Sequence, residues 1–210
     1  MKTKNISRRN FIRIGGMTGA ALTIGYYLPA SGKSPQYMTG DIADDLGIPL
    51  NAFISIDTNG RVTIRCQKAE MGQGAWTVVP QMIAEELEVD FNKVNILFAP
   101  SDPKKYGSQS TGGSSTVSDG YKFLLRTGAV GREMLITAAA QKWNGKNEDC
   151  VAENGTVTHK PTGNKLSYGE LVEAASKITP TQDVKLKKHS QYKIVGKPIP
   201  RQDTQVKVNG

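Results

Sequence analysis

The sequence predicts an α+β fold, a mixed sheet with helices packed on it. Three observations carry that prediction. Apolar and polar residues alternate over 52–56 and 61–66, the pattern of strands with one buried face. Helical spacing of apolar residues replaces the alternation over 76–88 and 119–143. The segments then run strand, loop, helix, strand, loop, helix, and the two most informative loops each stand just before a helix.

Each element has its own local reason. The first two strands are joined by Asp57-Thr58-Asn59-Gly60, where Asn-Gly supplies the positive φ of a tight hairpin turn. The second strand enters the loop Gln67-Lys68-Ala69-Glu70-Met71-Gly72-Gln73-Gly74. The helix over 76–88 sets Val79, Met82, Ile83 and Leu87 on one face. Pro80 suits only its first turn, which draws the helix start towards the glycine loop. A third strand over 94–99 leads into a long loop, 100–117, with the polar run Ser108-Gln109-Ser110-Thr111-Gly112-Gly113-Ser114-Ser115-Thr116. The second helix, 119–143, carries Leu124, Leu125, Val130, Leu135 and Ala138. Another hairpin spans 149–159 around Glu153-Asn154-Gly155. Ser167-Tyr168-Gly169-Glu170 has the spacing of a capping box and opens a short helix to about Lys177. Beyond Pro180 the chain is basic and interrupted by Pro198 and Pro200. Residues 181–210 therefore read as an extended connector to a following domain, not as a packed domain end. No internal repeat is visible.

A chain of 210 residues can bury a core, and 38% hydrophobic residues with 22 glycines suit a loop-rich globular protein. The formal charge of +8 is concentrated at the start. Lys2, Lys4, Arg8, Arg9 and Arg13 face no acid in the first thirty residues, leaving +3 for the other 180. The remaining basic residues form no aromatic-interleaved stripe, so nucleic acid is not an expected partner. Cys66 and Cys150 are too few and too far apart for an iron–sulfur cluster or a structural zinc. They read as unpaired thiols, with a disulfide open in an oxidising compartment. His159 and His189 have no metal-ligand spacing and read as surface residues.

Ser7-Arg8-Arg9-Asn10-Phe11-Ile12-Arg13 matches a twin-arginine export signal, followed by a weakly apolar stretch over 14–28. That stretch is short and glycine-rich for a membrane span. Residues 1–30 are thus expected to be an export signal and 31–50 a linker, with 51–180 forming the domain. Without a tidy cleavage site near Pro29-Ala30-Ser31, retention as a membrane anchor stays open. The expected compartment is the periplasm.

Both polar loops precede helix starts, whose unpaired N–H groups and positive dipole end attract phosphate and other anions. Met71-Gly72-Gln73-Gly74 lets a ligand come close to backbone, and the Gln73 amide both donates and accepts, as the mixed edge of a pterin requires. The hydroxyls of Ser114, Ser115 and Thr116 beside Gly112 and Gly113 would suit a diphosphate. Taken singly, each loop is equally an ordinary glycine turn or a solvated hydroxyl run.

Together with other segments they carry a resemblance. The matching segments are Asn51-Ala52-Phe53-Ile54, Ala69-Glu70-Met71-Gly72-Gln73-Gly74, Ala84-Glu85-Glu86-Leu87, Ser110-Thr111-Gly112-Gly113-Ser114 and Ala138-Ala139-Ala140-Gln141-Lys142-Trp143. They continue with Ala152-Glu153-Asn154-Gly155, Leu166-Ser167-Tyr168-Gly169-Glu170-Leu171 and Gly196-Lys197-Pro198-Ile199-Pro200-Arg201-Gln202-Asp203. In this order they resemble the amino-terminal portion of the isoquinoline 1-oxidoreductase beta subunit family, molybdenum hydroxylase large subunits related to xanthine dehydrogenase.

The resemblance implies that the domain is part of a molybdenum-cofactor-binding domain. It implies molybdenum-molybdopterin, in the cytosine dinucleotide form, shared with residues outside this chain. The pterin falls to Met71, Gly72, Gln73 and Gly74. Thr111, Gly112, Gly113, Ser114, Ser115 and Thr116 surround its pterin and phosphate side. Glu70, as part of the motif, reads as structural. The implied activity is oxidation of aldehydes or N-heterocycles. The implied partners are the remainder of the large subunit or a second large chain, a small [2Fe-2S] subunit, and a cytochrome c as a further electron acceptor. The family's catalytic glutamate lies near the far carboxyl end of a longer subunit. No catalytic residue and no metal ligand is therefore assigned here, and the chain is expected to be inactive alone. A shortened or split gene product, a laboratory fragment and a free-standing cofactor-binding chain all fit. An exported, non-catalytic binding protein that kept the fold is the alternative from another class.

Overall fold

Val62, Ile64 and Cys66 are buried along a five-residue strand, and Thr63 and Arg65 between them are only half-buried. This period of two orients the first sheet towards the core. The computed structural model describes residues 22–24, 53–181 and 183–208. Its first sheet sets β1 (Leu22–Ile24), β2 (Ile54–Ile56), β3 (Val62–Cys66) and β4 (Asn95–Phe98) side by side. β1 pairs antiparallel with β2 and β2 with β3, whereas β3 and β4 are parallel. The sheet is therefore mixed, as the sequence predicts. A second, antiparallel sheet holds β5 (Cys150–Glu153), β6 (Thr156–His159) and β7 (Lys165–Ser167).

The helices are α1 (Ala75–Leu87), α2 (Pro103–Tyr106), α3 (Thr116–Lys142), α4 (Tyr168–Ala175) and α5 (Thr204–Val208). α1 packs on β3 and β4 with one side and on α3 with the other, while α3 reaches β5, β6 and α4. Ile54, Ile56, Ile83, Leu87, Leu124 and Leu125 fill the layer between them at 0–1% exposure. Phe53 meets the rings of Tyr106 and Phe123 edge-on, with centroids 5.6 and 5.5 Å away. The Tyr168 hydroxyl is buried and donates to the Leu87 carbonyl at 2.7 Å, which ties α4 to the end of α1. The capping box at Ser167 and Glu170 is formed.

α1 and α3 touch through their backbones. A Cβ built on Gly128 would lie 2.2 Å from the Ile83 carbonyl oxygen. Gly169 does the same for α4, where a Cβ would lie 2.4 Å from the Thr58 carbonyl oxygen in the β2–β3 turn.

Four expectations change. Pro80 is the sixth residue of α1, beyond the first turn, so the Trp76 carbonyl loses an intrahelical donor. Burial of Pro80 against the core holds the helix there. The loop over 100–117 contains α2, started by Pro103 and capped by the Asp102 carboxylate, which accepts the Lys105 N–H at 3.1 Å. Leu22–Ile24, within the stretch read as the apolar part of an export signal, forms the edge strand beside β2. The Leu-Thr-Ile sequence has strand propensity, and the free edge of β2 offers it a ladder. The twin-arginine residues 7–13 lie outside the described residues.

The fourth change is the tail. Residues 183–203 are mostly irregular but packed, and α5 follows them. Val184 and Tyr192 are buried, and the reason lies in two adjacent acids of α1. The Glu85 carboxylate, 1% exposed as a residue, accepts the N–H groups of Lys193, Ile194 and Val195 at 3.0, 2.6 and 3.0 Å and the Lys187 ammonium. Glu86 accepts Arg132 at 2.7 Å and the Lys187 N–H at 2.9 Å. Buried carboxylates require such partners, and only the tail supplies most of them. Composition suggested a free connector because it cannot show a carboxylate 100 residues away.

Cys66 and Cys150 are both buried and unpaired. His159 is half-buried beside Trp143, and His189 is exposed. Among the described residues no group of His, Cys, Asp or Glu could hold a metal, and no helix is long and apolar enough to cross a membrane.

Candidate functional site

Parallel pairing of β3 and β4 brings Cys66 opposite Phe98, so both loops start from the same end of the sheet. The carboxyl ends of neighbouring parallel strands are where such sheets receive ligands. The Lys68 ammonium then joins the two loops, donating to the Ser110 carbonyl at 2.7 Å. Lys68 is 8% exposed, and burial pushes its pKa down, while Asp119 opposes that shift.

The first loop is organised by Glu70. Its carboxylate accepts the N–H groups of Gly72, Gly74 and Trp76 at 2.7, 3.1 and 3.0 Å. It also accepts the Arg201 guanidinium at 3.1 Å. Burial pushes the Glu70 pKa up, but these donors outweigh it and the net shift is downward. The N-terminal end of α1 is therefore already occupied by a carboxylate. The anion attraction expected of the first helix start is thus met within the chain by Glu70.

Gly72 and Gly74 have φ of 109° and 86°, values that a side chain would strain, and a Cβ at either would meet nothing within 4 Å. Met71 is 69% exposed. The Gln73 amide closes the loop on itself, accepting the Met71 N–H and donating to the Ala69 carbonyl, both at 2.6 Å. An amide has two donors and two lone-pair directions, so one of each is left for a ligand. The N–H groups of Met71, Gly72 and Gly74 are engaged inside the loop.

The second loop is cinched by Gln109, which accepts the Asp102 N–H at 2.8 Å and donates to the Pro100 carbonyl at 2.9 Å. Beyond it, Thr111 is half-buried, and Gly112, Gly113 and Ser114 are exposed. Ser114 has φ of 56°, a left-handed conformation that is uncommon for serine and stores strain at this corner. Ser115 is the N-cap of α3 but makes no side-chain cap bond, and Thr116 is the first helical residue. The start of this 27-residue helix thus lacks the carboxylate that fills α1's, although Asp119 stands in its first turn.

Among the described residues two buried polar atoms have no partner, Gln67 Oε1 and Thr111 Oγ1. Each is one residue from the Lys68–Ser110 link. Buried polar atoms are nearly always paired, so these two atoms beside one interloop tie have bonding capacity open to an ordered water or a ligand. No described hydrogen bond joins residues 71–74 directly to 111–116. Two cavities of about 380 and 280 Å³ lie elsewhere, around Val89, Asp90 and Asn154, and include no residue of either loop.

Sequence reasoning missed Gln67, Lys68 and Arg201 as residues that border or tie the two loops. Two polar residues directly after a strand's alternating run were the available signal for the first pair. Arg201 lay in a segment that looked like connector. Cys66, just below the loop, donates to the Lys68 and Ala75 carbonyls at 3.3 and 3.5 Å. Burial pushes its pKa up to about 11, so it stays a thiol.

A family model described as a molybdopterin cofactor-binding domain matches residues 14–209. The chain is 28% identical over 248 aligned positions to isoquinoline 1-oxidoreductase subunit beta of Brevundimonas diminuta, covering 100% of this chain and 31% of that one. It is 27% identical to the membrane-bound aldehyde dehydrogenase [pyrroloquinoline-quinone] of Gluconacetobacter polyoxogenes, covering 98% of this chain and 27% of that one. The solved quinoline 2-oxidoreductase of Pseudomonas putida 86 overlaps 58% of this chain and 15% of that one, at 26% identity and a TM-score of 0.45. The chain spans less than a third of the length of these two curated relatives.

Proposed function

The chain belongs to the molybdopterin cofactor-binding domain family, and from that premise we propose that its two loops hold the two ends of a molybdenum-molybdopterin group in a molybdenum hydroxylase large subunit. The observation that carries the assignment of ends is the unequal state of the two helix starts. Glu70 fills the first with negative charge, which repels phosphate and leaves Gln73 to meet a neutral pterin edge. The start of α3 offers the phosphate Ser114, Ser115, Thr116 and the nearby Lys68 ammonium, whose charge offsets that of the exposed Asp119 in the first turn.

The residues fit such a group. Gly72, Gly74, Gly112 and Gly113 border open space, and Gln67 and Thr111 each have a buried polar atom to offer it. Bound there, the group supplies the redox centre. This chain's residues bind and orient it. Thr111→Val and Gln67→Met test the fit, because each removes an orphaned polar atom at nearly constant volume. Each should stabilise the ligand-free chain by about 1 kcal/mol and lower molybdenum content in the complete assembly by roughly threefold to tenfold. Lower thermal stability with unchanged molybdenum would assign both residues to the fold alone. Gln73→Ala should act on molybdenum content in the same direction, since its own loop bonds are local and exposed.

The whole protein is proposed to oxidise aldehydes or N-heterocycles. The names of the two curated relatives support that range, one naming isoquinoline and the other aldehyde. The open face around both loops supports a site completed by the remainder of the large subunit or a second large chain. A [2Fe-2S] subunit, a cytochrome c acceptor and the cytosine dinucleotide form belong to the same proposal. Export through the twin-arginine pathway to the periplasm rests on residues 7–13. Replacing Arg8 and Arg9 by Lys should leave the protein in the cytoplasm on cell fractionation, and an unchanged periplasmic yield would refute export by this route.

A further inference from the structure

We propose that Arg201 is a positioning residue for the cofactor loop, so that the shape of Met71-Gly72-Gln73-Gly74 depends on docking of the tail. This deepens the proposed function and rests on it for the identity of the ligand. Arg201 Nη1 donates to the Gly72 carbonyl at 2.7 Å, and Nη2 donates to Glu70 at 3.1 Å. On its other side the guanidinium is held by the Asp203 carboxylate, through Nε and Nη2, both at 2.9 Å. Asp203 is 7% exposed and also accepts the Lys207 ammonium. The adjacent Gln202 N–H donates to Thr77 Oγ1 at 3.1 Å, which fixes the segment to the first turn of α1.

These contacts form a chain of constraint. Asp203 sets the plane of the guanidinium, and the guanidinium sets the Gly72 peptide and the Glu70 carboxylate. Glu70 in turn fixes the N–H groups of Gly72, Gly74 and Trp76. The Gly72 peptide is the one that leads into Gln73, so its orientation determines where the free half of the Gln73 amide points. Two glycines with positive φ make the loop soft, and a planar donor fork reaching two acceptors is the remedy. A lysine in place of Arg201 keeps the charge beside Asp203 but cannot reach Gly72 and Glu70 together in that fixed geometry.

The test uses Arg201→Ala and Arg201→Lys in the 210-residue chain for amide exchange, and in the complete assembly for molybdenum content. Exchange at Gly72, Gly74 and Trp76 should accelerate by roughly tenfold in both variants, while amides in the middle of α3 keep their protection. Thermal melting of Arg201→Lys should stay near the parent value, since the Arg201 side chain is 39% exposed, and molybdenum content should still fall by roughly threefold to tenfold. A purely structural arginine would move stability and molybdenum together. Unchanged exchange at these three amides overturns the proposal. Accelerated exchange with full molybdenum content also overturns it. An unsubstituted assembly that carries no molybdenum refutes the proposed function instead, and exchange then still decides whether Arg201 orders the loop.

Discussion

Glu85→Leu should destabilise the protein by about 3–5 kcal/mol, the cost of removing one partner from a buried, hydrogen-bonded ion pair. The substitution leaves the N–H groups of Lys193, Ile194 and Val195 without an acceptor and removes one of two carboxylates from the Lys187 ammonium. Such a loss lowers the melting temperature by on the order of 10 °C for a domain of this size. The pH dependence gives a second readout. Burial raises the Glu85 pKa, but Lys187 and the three N–H groups outweigh it, so the folded pKa is depressed. A depressed carboxylate contributes stability that is complete above its unfolded pKa of about 4.3 and is lost as pH falls through the folded value. The gap between parent and Glu85→Leu in urea unfolding should therefore be wide at neutral pH and narrow in acid. An equal gap at both ends would mean that the carboxylate is not acting as an ion.

The second large effect is at the crossing of α1 and α3. Gly128→Val should cost about 3 kcal/mol or more, because a Cβ there would lie 2.2 Å from the Ile83 carbonyl oxygen and 3.0 Å from Glu86 Cβ. Backbone cannot rotate away as a side chain can. Gly120→Ala in the same helix is the control. Its Cβ would meet the buried Leu124 side chain at 3.1 Å, a tight contact set against a gain in helix propensity of up to about 1 kcal/mol. Chemical denaturation should therefore show Gly120→Ala within about 1 kcal/mol of the parent and Gly128→Val well below it. If both are neutral, the helices are not in backbone contact at Gly128.

Elements with a short-range cause are legible in the residues alone. The β2–β3 hairpin follows from alternation on either side of an Asn-Gly turn, and α4 from a capping box whose partners are three residues apart. The expected ends of α1 and α3 differ from the observed ones by one to three residues, since helix ends depend on caps. The two loops are legible as a pair through their motifs. The internal bonds of the first are not, because Gln73 bonding to Ala69 looks the same in sequence as Gln73 left free.

What the sequence by itself determined was therefore the mixed α+β class, the order of most elements, the two glycine-containing loops and the resemblance. Each follows from periodicity or from residues a few positions apart. Only the tertiary structure decided that residues 183–208 pack on α1, that Lys68 joins the loops, that Glu70 takes the first helix start and leaves the second, and that Arg201 grips Gly72 from 129 positions away. The physical reason is the same in each case. A buried charge must find its counterpart wherever the fold brings one within hydrogen-bond reach, and separation along the chain places no limit on that choice.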